Sequence, residues 1–337
     1  MASSNISKYL PGHRDGESLE KFIDRVVRPP DEFKRRMNNA VDKLVQYLHV
    51  MPGYSVSEVV KSGSLGKGTA VQDSADADMV MFINDYKTME ELKKAKPTIL
   101  NDIKRYLTNP KNTYFGSKPD WLNSITVGKM TGFHINVKIH LTYNGKNLPV
   151  DIDILPAIDV IKKHEDKMDV VYAEIETKPD DIQAHHSVCF CKKQINLIRP
   201  QPAKAKDLII LLKYWKQKND LDMRSYSCEI IGLHIFNEHM NSKTNFKMRE
   251  GFIKALEMLQ DYQTIQIAKS PFYDSRAWRR HFPSTYYIMD PVNPFSDTSS
   301  LNIQPITRCA QMTLARLTDE TVPEEGEETS AASCGLM

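Results

Sequence analysis

The sequence predicts an α+β protein in two lobes, a small mixed sheet first and a helical lobe after it. Three observations carry that expectation. Strand-forming runs gather in the first 160 of 337 residues, helical periodicity takes over beyond them, and Asn144-Gly145 joins two of the runs as a hairpin turn joins strands. A prior of about 150 residues per domain also argues for two units. The expected organisation is a sheet-bearing lobe over 1–160, a helical lobe over 161–318 and an acidic tail over 319–337.

In chain order, 19–27 reads as a short helix that Pro29-Pro30 stops, and Asp31 as the cap of a longer one. There Phe33, Met37, Ala40, Val41, Leu44, Val45 and Leu48 recur at three- and four-residue spacing, opposite a solvated face of Lys34, Arg35, Asn38 and Lys43. A brief strand over 56–61 leads into a glycine-rich loop from Ser62 to Thr69, and the β-forming run 76–83 follows. A helix over 88–106 precedes the two hairpin strands, 133–141 and 148–155. Beyond 157 the pattern gives helices over 205–218, 225–240 and 249–261, with one strand signal at 286–289. The tail holds six acids and no base between Asp319 and Met337, and its composition predicts disorder.

Composition excludes whole classes. With 41% hydrophobic and 26% charged residues the chain is neither disordered throughout nor a fibrous or disulfide scaffold. The longest apolar run, at Leu208-Ile209-Ile210-Leu211-Leu212, is far shorter than the roughly 18 residues a membrane-spanning helix needs. The start, Met1-Ala2-Ser3-Ser4, offers neither a secretory leader nor a myristoylation glycine. Five cysteines (Cys189, Cys191, Cys228, Cys309 and Cys334) are sparse and odd in number, which with the missing leader predicts a reduced, cytoplasmic setting. The net charge is +2, and setting aside the six acids of the tail leaves about +8 on the rest, a balance suited to a polyanionic partner or substrate.

The chemistry-bearing pattern is a Gly63-Ser64 pair followed by Asp76-Ala77-Asp78 at the head of a strand. Residues two apart on a strand share a face, so Asp76 and Asp78 can hold the same divalent ions, while Gly63 lets the backbone approach a phosphate. Two metals bridging an attacking hydroxyl and an α-phosphate require a third carboxylate on a neighbouring strand. Asp151-Ile152-Asp153 supplies it, with Asp153 preferred and Asp151 the fallback. Carboxylate oxygens with substrate phosphates favour Mg²⁺. A Walker A loop is excluded, because Lys67 is followed by Gly68 and Thr69 comes one position late. His185, His186, Cys189 and Cys191 invite a zinc reading, but their spacing fits no usual four-ligand pattern, and a partly buried thiol pair is the plainer reading. Cys334-Gly335-Leu336-Met337 has the form of a prenylation signal, which would add weak membrane association, although no polybasic segment precedes it.

These residues resemble the 2′-5′-oligoadenylate synthetase family within the polymerase-β-type nucleotidyltransferases. The resemblance rests on Ser57-Glu58-Val59-Val60-Lys61-Ser62-Gly63-Ser64-Leu65-Gly66-Lys67-Gly68-Thr69, on Ser74-Ala75-Asp76-Ala77-Asp78, and on Val150-Asp151-Ile152-Asp153-Ile154-Leu155-Pro156-Ala157-Ile158-Asp159. Cys189-Phe190, Leu211-Leu212-Lys213-Tyr214-Trp215 and Asp290-Pro291-Val292-Asn293-Pro294 extend it, in the family's order, over about 19–302. It implies a nucleotidyltransferase lobe and a helical lobe with ATP between them. It also implies 2′-5′ linkage of ATP with release of pyrophosphate, stimulation by double-stranded RNA bound across both lobes, and a part in antiviral innate immunity. Carried over by position, Asp76, Asp78 and Asp153 ligate two Mg²⁺ ions. Gly63, Ser64 and Lys67 meet the donor nucleotide, Lys213 neutralises its triphosphate, and Tyr226 lies by its base. Lys192, Lys193, Arg199, Lys204 and Lys206 fall on the RNA-facing side. The chain departs from the family pattern at Ser225, where Gln is usual, at Asn293, where Asp is usual, and at Ile195 and His49, where bases are common. A cyclic-dinucleotide synthase of the cGAS-like kind and a non-catalytic RNA-binding relative are the alternatives, and oligomeric state is left open.

Overall fold

The computed structural model describes residues 6–72, 76–108, 120–164, 167–278 and 284–319. The tail beyond 319, Cys334 with it, and the side chain of Asp76 lie outside the described residues.

Helix α1 (Leu19–Phe22), capped by the Ser18 hydroxyl, runs on as a π-helical turn to Val27. Pro30 then provides the N-cap of α2 (Asp31–His49), so Asp31 lies inside the first turn and does not cap it. The apolar stripe of α2 is buried at Phe33, Met37, Val41, Leu44 and Leu48. Strand β1 (Val56–Ser62) passes into α3 (Gly63–Lys67), then β2 (Asp76–Ile83) and α4 (Met89–Thr108). Three strands follow: β3 (Ile125–Met130), which the sequence reading missed, β4 (Ile135–Tyr143) and β5 (Lys146–Ala157). The β4–β5 connection is the expected hairpin, with Asn144 at φ 48° and Gly145 at φ 71°, the left-handed pair that a tight turn of this hand requires.

The sheet has the order β1-β2-β5-β4-β3 and is mixed. β2 and β5 run parallel, and the other neighbours pair antiparallel. One face carries Met79, Met81, Ile152, Ile154, Ile135 and Val137, all buried, and packs with α2 and α4 into a single core.

Helices α5 (Met168–Glu176), α6 (Asp180–His186), α7 (Cys191–Ile198), α8 (Ala203–Lys218), α9 (Ser225–His234) and α10 (Met248–Gln260) build the rest. The short strand β6 (Gln266–Ile267), helix α11 (Ser275–Trp278), strand β7 (Tyr287–Ile288) and helix α12 (Ile303–Asp319) complete it. Helix α8 is apolar nearly all round, which marks it as the central helix of its lobe. Trp215 is fully buried, and its indole N–H donates to Thr313 of α12 at 2.9 Å.

The N-terminal segment packs with this helical core and not with the sheet. Ile6, Leu10, Phe22 and Ile23 belong to it, and the Tyr214 hydroxyl donates to the Pro11 carbonyl at 2.5 Å. Conversely, Ile182, Cys189 and Cys191 lie in the sheet core. The chain thus crosses between lobes more often than one boundary at residue 160 describes. The physical reason is that α1 has an apolar face too short to cover anything alone, and the open flank of α8 and α10 accepts it.

The His/Cys group holds other partners. His185 Nδ1 is 2.9 Å from the ammonium of Lys96, His186 Nδ1 is 2.9 Å from the Ile182 carbonyl, and the Cys189 thiol donates to the Ile158 carbonyl. Burial pushes the Cys189 and Cys191 thiols up to about 12.

Lys96 is 1% exposed, and burial pulls its ammonium down to about 8. The unfolded chain therefore binds more protons between pH 8 and 10.5, and stability rises through that window. Lys96→Met should stabilise the protein at pH 7 by about 1–3 kcal/mol. In chemical denaturation, that advantage over the wild type should shrink as pH rises toward 10.

Candidate active site

The solvent-side face of the sheet carries two adjacent rungs. In the first, Asp76 of β2 stands opposite Asp151 of β5, which stands opposite Lys138 of β4. In the second, Asp78 stands opposite Asp153, and Asp153 opposite Asn136. The parallel register of β2 and β5 therefore brings two carboxylate-bearing positions side by side twice over. The second rung is half-buried, and Asp153 Oδ1 accepts a hydrogen bond from Asn136 Nδ2 at 2.8 Å. The other oxygen of Asp153 lies 3.7 Å from His134 Nε2. Asp151 differs, because the Lys138 ammonium is 3.3 Å from its Oδ1. The neighbours thus distinguish the preferred carboxylate from the fallback: Asp151 has a cation of its own, and Asp153 has a neutral amide.

The glycine-rich stretch, expected as a flexible loop, is the one-turn helix α3. Gly68 closes it at φ 74°, and Thr69 N donates to the Ser64 carbonyl at 2.9 Å. Gly63 opens it at φ 62°, and a Cβ there would lie 2.7 Å from Asp78 Oδ2. Both the backbone conformation and the space demand glycine. Ser64 is half-buried on the same turn.

Lys67 and Lys213 meet at a glutamate that the sequence reading did not single out. Glu229 of α9 is 2% exposed and Lys67 and Lys213 are each 5% exposed. Glu229 Oε2 lies 2.8 Å from the Lys67 ammonium, and Oε1 lies 2.5 Å from that of Lys213. The Thr69 hydroxyl donates to Glu229 Oε1 at 2.8 Å and accepts from Lys213 at 2.8 Å. Burial alone would raise this carboxyl, but the two ammonium groups outweigh it and hold it down at about 2. Its signal in the sequence was an acid inside the apolar run Cys228-Glu229-Ile230-Ile231, which a buried helix keeps only for a charged partner.

Tyr226 lies on the same helix, with the Lys67 ammonium 4.1 Å from its ring centre. Its hydroxyl donates to Asp290 Oδ1 at 2.9 Å, and Gln194 of α7 donates to Asp290 Oδ2 at 2.8 Å. Burial raises both the Tyr226 hydroxyl and the Asp290 carboxyl, so the phenol stays protonated as the donor.

The basic segment is divided in its partners. Lys192 reaches Glu58 at 2.5 Å and Asp159 at 2.8 Å, and Lys204 reaches Glu20 at 2.7 Å. Lys193 lies 5.7 Å from the Phe272 ring centre. Arg199 is exposed, and its carbonyl accepts from Lys206 at 3.2 Å.

The donor set fits a hard divalent cation. Carboxylate oxygens of Asp78 and Asp153 face one side of adjacent strands, Asp76 occupies the third position by backbone register, and Gly63 has no Cβ to press on Asp78 Oδ2. Among the described residues, which exclude the Asp76 side chain, no three His, Cys, Asp or Glu side chains are gathered as a metal cage.

Glu229→Gln should cost about 3–5 kcal/mol in denaturant unfolding at pH 7, since it leaves two buried ammonium groups without a counter-charge. Because the folded carboxyl is depressed, its contribution is present above pH 4.5 and lost as pH falls toward 2. The difference between wild type and variant should therefore narrow on acidification through that range.

Comparisons with known proteins agree with this architecture. Residues 165–332 match the family model for 2′-5′-oligoadenylate synthetase 1, domain 2, C-terminus. The 2′-5′-oligoadenylate synthase 1A of Rattus norvegicus is 26% identical over 322 residues, covering 87% of this chain and 87% of its own. The 2′-5′-oligoadenylate synthase 2 of Bos taurus is 27% identical over 320 residues, 85% of this chain but 42% of its own length. Among solved structures, E. coli MS115-1 CdnC with ATP superimposes with a TM-score of 0.57 at 18% identity, over 92% of this chain and 98% of that one. Terminal uridylyl transferase 4 from Trypanosoma brucei with bound ATP gives 0.55 at 12% identity, over 94% and 99%. By sequence and by fold, the chain is a nucleotidyltransferase-fold relative of the 2′-5′-oligoadenylate synthetase family.

Proposed function

We propose that the protein joins ATP molecules through 2′-5′ phosphodiester bonds with release of pyrophosphate, and that double-stranded RNA stimulates it. The observation that carries this reading is the pairing of Asp78 with Asp153 across β2 and β5 beside Gly63. Asp76, Asp78 and Asp153 would hold two Mg²⁺ ions, which when bound supply Lewis-acid activation of the attacking hydroxyl and offset the charge of the triphosphate.

The protein's own part is positioning and charge. Gly63 and Ser64 receive the donor triphosphate at the start of α3. Lys67 and Lys213 converge from opposite lobes and are the cations for it, with Glu229 holding both before substrate arrives. Tyr226, tied through its hydroxyl to Asp290, offers a fixed ring to the donor base. The acceptor 2′-oxygen forms a bond to the α-phosphorus as the bond to pyrophosphate breaks, and the hydroxyl proton leaves to solvent water. In the basic segment, Arg199 and Lys206 carry no acidic partner among the described residues, while Lys192 and Lys204 would exchange carboxylates for RNA phosphates. A cytoplasmic role in antiviral innate immunity follows by kinship with the family.

The test is incubation of purified protein with ATP, GTP and Mg²⁺, with and without double-stranded RNA, and chromatography of the products before and after a nuclease specific for 3′-5′ links. A nuclease-resistant linear ladder is expected, with Asp153→Asn lowering the rate at least about a hundred-fold. A cyclic product would assign the protein to the cyclic-dinucleotide class, a digestible ladder would overturn the linkage, and no product under any activator would leave a binding protein. For the RNA face, Arg199→Ala with Lys206→Ala should weaken binding and reduce the slope of log affinity against log salt by about 2.

A further inference from the structure

Two successive same-face positions of β4 treat two successive aspartates of β5 differently. Lys138 stands opposite Asp151 with its ammonium 3.3 Å from Oδ1. Asn136 stands opposite Asp153 and donates through Nδ2 to Oδ1 at 2.8 Å. A lysine at 136 would neutralise Asp153, as Lys138 offsets the charge of Asp151. An amide holds one oxygen in place and leaves the negative charge for something else.

The seat of that amide is built into the edge of the sheet. Gly128 of β3 lies against Asn136, and a Cβ there would fall 2.7 Å from Asn136 Oδ1 and 3.5 Å from its Cβ and Cγ. The β3–β4 register shifts between Val127 and Met130, the interval that contains Gly128. The turn after it is fixed by Thr131, whose hydroxyl accepts from the backbone N–H groups of Phe133 and His134 at 3.1 Å each. That turn sets His134 Nε2 3.7 Å from the second oxygen of Asp153. Oδ1 is thus held by a neutral donor, and Oδ2 has His134 Nε2 at 3.7 Å.

We infer that Asn136, seated against Gly128, is a positioning residue that holds Asp153 by Oδ1 and presents Oδ2 to the divalent cation. The inference rests on the reading of Asp153 as a cation ligand. A carboxylate without such a partner rotates about its Cβ–Cγ bond, and loss of the group that orients a metal ligand typically costs ten- to a hundred-fold in metal affinity. Asn136 touches no reacting atom and acts only through Asp153.

The test uses the full chain and Mn²⁺ as a spectroscopic probe, titrated by electron paramagnetic resonance with α,β-methylene-ATP present. Asn136→Leu removes the donor. Gly128→Ala keeps the donor but displaces it, and because the φ of Gly128 is not positive, alanine itself brings no backbone strain. Both variants should keep the wild-type melting temperature, bind Mn²⁺ about ten- to a hundred-fold more weakly, and raise the Mg²⁺ concentration for half-maximal turnover by a like factor. Catalytic rate should largely recover at saturating Mg²⁺. If Asn136→Leu fails to fold, Gly128→Ala decides. Mn²⁺ affinity within two-fold of wild type in a folded variant would overturn the role of Asn136 alone. A wild type that takes up no Mn²⁺, or an Asp153→Asn variant that binds it equally well, would overturn both this inference and the reading it rests on.

Discussion

The parallel pairing of β2 with β5 is the constraint on which the candidate site depends. Like charges directly opposite each other on neighbouring strands repel, and this sheet sets Asp76 against Asp151 and Asp78 against Asp153. The buried face compels it. Met79, Met81, Ile152 and Ile154 anchor the same two strands in the core, and a slip of one residue would send every one of them to solvent. The hydrophobic face thus fixes the register, and the register sets the acids side by side. What relieves the repulsion comes from β4, as a lysine on one rung and an amide on the other.

The second organising contact is the buried trio of Lys67, Glu229 and Lys213, which ties α3 at the edge of the sheet to α8 and α9 of the helical lobe. Taking three charges out of water is expensive, and such a cluster adds little net stability compared with an apolar replacement. Its value is geometric. It sets the two lysines at one spot, and the Tyr226 ring beside Lys67 is held from behind by Asp290, which also takes Gln194 of α7. Helix α7, which carries Lys192 and Lys193, is therefore connected to Tyr226 by a short chain of hydrogen bonds.

The errors of the sequence reading have physical causes. Strand β3 is an edge strand with a half-exposed, interrupted pattern, so it lacks the strict alternation that marks a half-buried strand. The Gly63–Lys67 stretch, rich in glycine, reads as a loop because glycine disfavours helix, yet it forms one turn that starts at Gly63 against Asp78 and is closed by Gly68, both at positive φ. Helices α5, α6 and α7 are short, and their apolar positions answer to several neighbours at once, which blurs the three- and four-residue spacing.

The amino-acid sequence by itself determined the α+β class, the β2 strand to the residue, the hairpin at Asn144-Gly145, and which aspartates share a face, because period-two alternation and turn chemistry are local properties. Only the tertiary structure decided that Asp153 meets an amide where Asp151 meets a lysine, that Glu229 gathers Lys67 and Lys213, and that the N-terminal helix covers the far lobe. Those are contacts between residues as many as 228 positions apart, set by sheet register and by which apolar surfaces remain to be covered. No local pattern in the chain encodes them.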